Sequence, residues 1–317
     1  MRILVTGGAG FTGSNLVAAL LSDPRVTQVL VLDNLATGNK KNLEEFSSHA
    51  RFRFLEGDIR DYDTCLQACE QADRVTHQAA LGSVPRSIHD PLTSNNVNIT
   101  GTLNMFTAAK EKGIKRVVYA ASSSTYGDHP GLPKVEDKIG RPLSPYAVTK
   151  YVNELYARVY ADLYGMELIG LRYFNIFGPK QNPKGPYAAV IPLFAEALIK
   201  NVPPTINGDG EHSRDFTYVD NAVQANLLSL FTEDPRAVNQ VYNIACGEQT
   251  SLNQLFNYLK AEAGTDLVPT YGPERKGDVK HSLADISKAG SLLGYAPGIT
   301  VKEGLKKTYQ WYLQNMN

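Results

Sequence analysis

The chain has 317 residues, with 32 Lys plus Arg against 32 Asp plus Glu, 43% hydrophobic residues and 20% charged ones. That length serves about two domains, or one large α/β domain with an appended lobe, and the balanced charge offers no general attraction for nucleic acid or an anionic membrane. Cys65, Cys69 and Cys246 are too few for a disulfide framework, the first residues run straight into a strand pattern without a secretory leader, and no apolar run approaches the ~20 residues of a membrane helix; a soluble, cytoplasmic protein is expected.

Short β-branched or apolar runs predict strands at residues 3–6, 29–32, 52–55, 74–77, 117–121 and 168–173. Helix-period stretches fall at 13–21, 64–70, 100–112 and 146–164. Alternating strands and helices of this kind predict an α/β fold, a doubly wound parallel sheet with helices on both faces. After residue 178 the pattern loosens and Pro and Gly become frequent, with helical signals at 191–200, 221–231, 252–263 and 301–314. The expected organisation is a nucleotide-binding domain over 1–178 and a smaller C-terminal α/β lobe over 179–317, with a soft boundary and chain crossings between them.

The first strand runs into Gly7, Gly10 and Gly13, spaced Gly-x-x-Gly-x-x-Gly, and then into a helix. Such a turn lets the backbone approach a pyrophosphate and aims the free N–H groups of a helix start at it. Asp33 ends the second strand 20 residues after Gly13, where a carboxylate accepts the adenosine ribose hydroxyls and repels a 2′-phosphate. Dinucleotide binding with NAD rather than NADP is therefore expected. Asp58, after the third strand, is a candidate for the adenine or an ordinary strand-end turn.

Tyr146 and Lys150 form a Tyr-x-x-x-Lys pair on one face of a predicted helix. A phenol is a poor base near neutrality until a nearby cation lowers its pKa, and Lys150 is placed to do so while also reaching the nicotinamide ribose. The fifth strand ends in Ser122, Ser123 and Ser124, at the carboxyl edge where ligands of such sheets bind. No metal is implied; His77, His129, His212 and His281 read as ordinary strand-end or loop histidines.

Together these segments resemble the extended short-chain dehydrogenases, specifically the UDP-galactose and UDP-N-acetylglucosamine 4-epimerases, along essentially the whole chain. The resemblance implies a Rossmann sheet, Tyr146 as general base, Lys150 as its cationic partner and Ser122 as the hydroxyl that orients the sugar. It assigns Phe11, Thr12, Asn34, Asp58, Ile59, Gln78, Ala79, Ala80, Asn98 and Tyr173 to the cofactor, although Thr12 stands where the family commonly has a β-branched apolar residue. To the substrate it assigns Ser83, Ser123, Ser124, Asn175, Ala189, Val190, Asn207, Arg214, Arg275, Asp278 and Ser282. Arg214, in Ser213–Arg214–Asp215–Phe216, and Arg275 suit phosphates, and Asp278 suits ribose hydroxyls.

Two departures from related enzymes carry information. Ser123 and Ser124 stand where dehydratases carry an Asp-Glu pair, which disfavours dehydration. Ser282 is small where epimerases restricted to plain sugars carry a bulky aromatic, leaving room for an N-acetyl group. The reading is an NAD-dependent 4-epimerase of UDP-sugars, acetylated and plain, acting by transient oxidation at carbon 4. The alternatives are a nucleotide-sugar 4,6-dehydratase or decarboxylase, and a non-catalytic NAD-binding protein. The family also implies a homodimer through the helices at 100–112 and 146–164.

Overall fold

The computed structural model describes residues 1–183, 188–274 and 280–316. Six strands of the first half, β1 (Arg2–Thr6), β2 (Gln28–Asp33), β3 (Phe52–Glu56), β4 (Arg74–His77), β5 (Arg116–Ser122) and β6 (Glu167–Tyr173), form one sheet. With a seventh strand from the second half, β11 (Val241–Ile244), the order is β11-β6-β5-β4-β1-β2-β3, all parallel. β1 and β4 are neighbours whose continuations diverge, so the carboxyl ends of the strands open a crevice there.

Both faces of the sheet are buried, which is why its strands are continuously apolar rather than alternating. Because side chains alternate across a strand, Ile3, Val5, Val29 and Val31 belong to one core and Leu4, Leu32 and Val75 to another. The first core is covered by α1 (Phe11–Ser22) and α8 (Val219–Phe231). The second is covered by α2 (Tyr62–Cys69), α5 (Gly101–Glu111) and α6 (Pro145–Tyr164). Cys65 and Cys69 are part of that second core, where burial pushes their thiols up to about 12. Two short helices absent from the sequence reading, α3 (Val84–His89) and α4 (Pro91–Asn95), precede α5.

The second half is built from short strand pairs and helices. β7 (Ile176–Phe177) pairs with β10 (Thr217–Tyr218), β8 (Thr205–Asn207) with β13 (Thr270–Gly272), and β9 (Ser213–Arg214) with β12 (Thr250–Ser251). Around them lie α7 (Val190–Ile199), α9 (Leu252–Ala263), α10 (Ser287–Leu293) and α11 (Val301–Asn315). Ser251 with Gln254 and Thr300 with Glu303 make reciprocal capping boxes that start α9 and α11. Two later elements return to the first half: β11 (Val241–Ile244) adds the last strand beside β6, and α8 lies against α1.

Candidate active site

The turn between β1 and α1 packs directly on the segment after β4. Gly7 has φ +69, and a Cβ there would come 2.6 Å from the Ala79 nitrogen. A Cβ on Gly13 would come 2.2 Å from the Gly7 carbonyl oxygen. Glycine is thus required by backbone closeness at both positions. Gly10 caps α1 without a side-chain bond, and the first turn carries no acidic residue, so the helix start keeps its N–H groups and positive end for an anion.

Beside this turn lies a cavity of about 390 Å³. Its walls contain Gly7, Gly10, Phe11, Thr12, Gly13, Asp33, Asn34, Asp58, Ile59, Gln78, Ala79 and Ala80, all residues assigned to the cofactor from sequence. The Asp33 carboxylate accepts from the Ala9 N–H at 2.9 Å and the Leu35 N–H at 2.8 Å. Burial raises its pKa while those donors pull it back. Asp58 is held by Arg60 at 2.7 Å and by the Asn34 amide at 2.8 Å, which lowers its carboxyl to about 2. It is an ionised carboxylate at one end of the cleft. A glycine cradle, a helix start and carboxylates in the same lining fit an adenine dinucleotide.

Two residues expected at the cofactor have their polar atoms engaged within the protein. Asn98 is fully buried and is absent from the cavity wall. Its oxygen accepts from the Leu81 N–H at 2.8 Å, and its amide donates to the Leu81 carbonyl and to Thr149 Oγ1. Every polar atom of that side chain takes part in clamping the 79–82 segment to α6, so Asn98 positions the wall. Tyr173 donates its hydroxyl proton to Gln78 Oε1 at 3.0 Å and accepts from Asn226 Nδ2 at 2.7 Å. The Gln78 amide donates in turn to Asn226 Oδ1 and Thr76 Oγ1. This closed network ties β4, β6 and α8 beneath the cleft. Asn226 carried no sequence signal, because these partners lie 53 to 150 residues away.

Ser144 caps α6 by accepting from the Ala147 N–H, Pro145 occupies the first turn, and Gly165 ends the helix at φ 64. Tyr146 and Lys150 therefore sit in the opening turns of a helix with defined ends. The Tyr146 N–H donates to Ser87 Oγ at 3.0 Å, which ties that turn to α3. Lys150 Nζ donates to the Ala120 carbonyl at 2.7 Å, and burial lowers its pKa to about 8. Ser122 Oγ lies 2.8 Å from Ser124 Oγ and accepts from the Ser124 N–H.

Burial raises the Tyr146 phenol above its ordinary value, and the Ser122 hydroxyl brings it part of the way down. The sequence reading assigned that lowering to the Lys150 charge. In this structure the phenol stands raised, and the lowering contribution is that of Ser122. His77, packed between Thr6 and Thr102, is lowered to about 3 by burial first and the Lys150 charge second, so it is neutral.

A second cavity, of about 580 Å³, opens in the C-terminal half between α7, β8 and β9. Asn175, Ala189, Val190, Asn207 and Arg214 line it, as does His212, one of the histidines read from sequence as strand-end or loop residues. Asn175 adopts φ 36 and donates to the Asp215 carbonyl at 3.1 Å. The fully buried Asp215 carboxylate accepts from the N–H groups of Cys246, Gly247 and Ala284, binding three segments behind Arg214.

Other assigned residues stand elsewhere. Ser282 is absent from this wall; its N–H donates to the Ser213 carbonyl, one residue from Arg214. Ser83 caps α3, and Ser123 lies on the turn after β5. Arg275 and Asp278 lie outside the described residues.

The fold and the paired cavities define a nucleotide-dependent α/β enzyme scaffold, and the family model for NAD dependent epimerases/dehydratases matches residues 3–245. The chain belongs to that family, and its cofactor is NAD. It is similar to the UDP-glucose 4-epimerase of Mycolicibacterium smegmatis, with 36% identity over 314 residues and 98% of each chain covered. Among solved structures it is similar to a UDP-glucose 4-epimerase from Thermotoga maritima with UDP-glucose, at 37% identity, TM-score 0.93 and full coverage of both chains. It is also similar to the UDP-N-acetylglucosamine 4-epimerase of Methanobrevibacter ruminantium in complex with UDP-N-acetylmuramic acid, at 40% identity, TM-score 0.93 and 99% coverage of both. No helix among the described residues is long and apolar enough to cross a membrane.

Proposed function

We propose that this protein is a cytoplasmic 4-epimerase of UDP-sugars that accepts N-acetylated and plain sugars and works by transient oxidation at carbon 4. The observation that carries the reading is a dinucleotide cleft together with a second cavity lined by Arg214, in a chain that carries Ser122 at the end of β5 and Tyr146 and Lys150 in the opening turns of α6. The relatives that turn over UDP-glucose and UDP-N-acetylglucosamine support it.

Bound NAD supplies a hydride acceptor that later returns the hydride, so none is consumed. Tyr146, as phenolate, takes the proton of the 4-hydroxyl and gives it back after the sugar has turned its other face. Ser122 holds the same oxygen. Lys150, fixed on Ala120, has N–H groups left for a ribose. Arg214, together with Arg275 and Asp278, holds the UDP while the sugar end rotates. Residues 1–178 serve the cofactor and 179–317 the UDP-sugar, with β11 and α8 returned to the first part.

Purified protein is expected to interconvert UDP-N-acetylglucosamine and UDP-N-acetylgalactosamine, and UDP-glucose and UDP-galactose, without net change in NAD. Release of water with formation of a 4-keto-6-deoxy sugar would replace this reading by a dehydratase. Ser282→Tyr should cut turnover of the acetylated pair by about ten- to a hundredfold and spare the plain pair, the scale of discrimination by pocket volume. Equal losses on both pairs would dismiss Ser282 as the residue that leaves room for the N-acetyl group.

We also propose a homodimer, on a face narrower than the one the family implied. Val148, Leu155, Val159 and Leu163 are exposed along one side of α6, and Ile88 and Leu92 extend that apolar surface from α3 and α4. No large apolar side chain of α5 is exposed. Leu155→Glu combined with Leu163→Glu should convert a dimer to a folded monomer in light scattering; an unchanged mass would move the interface elsewhere.

A further inference from the structure

His212 stands immediately before β9 in the wall of the 580 Å³ cavity, with Asn207 and Arg214 in the same lining. Its Nε2 lies 3.0 Å from Glu274 Oε1, on the segment that follows β13. The imidazole is largely covered, with side-chain exposure of 15%. A carboxylate can only accept, so this contact places a proton on Nε2 and leaves Nδ1 with its lone pair in the neutral ring. Among the described residues no hydrogen bond is made to Nδ1. Arg214 supplies the cationic donor that a diphosphate requires, whereas an imidazole lone pair requires a donor, and in a nucleotide the ribose hydroxyls are donors.

We propose that His212 is a nucleotide-binding residue of this cavity, held by Glu274 so that its Nδ1 accepts a hydrogen bond from a ribose hydroxyl. The inference rests on the reading of the cavity as the UDP site. Calorimetric titration of the whole, NAD-loaded protein with UDP and with 2′,3′-dideoxyuridine diphosphate separates the two claims. His212→Leu should weaken UDP about tenfold, the effect of one buried hydrogen bond, and leave the dideoxy analogue unchanged. His212→Asn, whose amide oxygen can accept in place of Nδ1, should recover most of the UDP affinity. His212→Leu binding UDP as tightly as the native protein, or losing both ligands equally as a purely structural role would require, overturns the assignment. A native protein that binds no UDP at all removes the proposed function itself, and this inference with it.

Discussion

Tyr146→Phe is expected to lose about a thousandfold in epimerase turnover, within the range seen for removal of a general base, while UDP-sugar affinity and NAD content stay as they are. The ring has its place independently of its hydroxyl. Ser144 and Pro145 start the helix, and the Tyr146 main-chain N–H is tied to Ser87 Oγ. In the proposed function, nucleotide affinity resides in the separate cavity around Arg214. Steady-state rates and a binding titration on the same preparation check both halves, and full turnover in the variant would dismiss Tyr146 as the base.

The influence of Ser122 adds a pH signature. It lowers a phenol that burial has raised, so Ser122→Ala should leave the phenol higher still. The base must be ionised to act, and the rising limb of the pH–rate profile should therefore move to higher pH. A limb that stays in place would separate Ser122 from the phenol.

Glu154→Leu is expected to cost about 3–5 kcal/mol of stability, the usual consequence of leaving one buried charge without its partner. Glu154 accepts from Arg172 through two bonds of 2.9 and 2.7 Å, and both side chains are nearly inaccessible, at 6% and 4% exposure. The guanidinium also lies 4.8 Å from the centre of the Tyr126 ring and donates to the Glu136 carbonyl. This is the bond by which α6, the helix of Tyr146 and Lys150, is fastened to β6. Adding Arg172→Met to Glu154→Leu should restore much of the loss, since two apolar side chains of similar size carry no desolvation cost. Denaturant unfolding of the two single variants and the double variant measures the coupling; a Glu154→Leu protein as stable as its parent would show the pair to be energetically idle.

What could be read from the order of residues was local in origin. The strand, glycine turn and helix around Gly7, Gly10 and Gly13 follow from backbone closeness within a few residues, and Asp33 follows from the length of one strand–helix–strand unit. Tyr146 and Lys150 share a face because one helix turn dictates it. The tertiary structure decided the rest. It spent Asn98 on Leu81 and Thr149, enclosed Tyr173 with Gln78 and Asn226, anchored Lys150 on Ala120, returned α8 and β11 to the first half, and set His212 in a cavity wall against Glu274. Those outcomes depend on partners tens to more than a hundred residues away. A side chain's neighbours at that distance are chosen by which buried donors and acceptors must be satisfied once the layers close, and no periodicity or spacing along the chain carries that information.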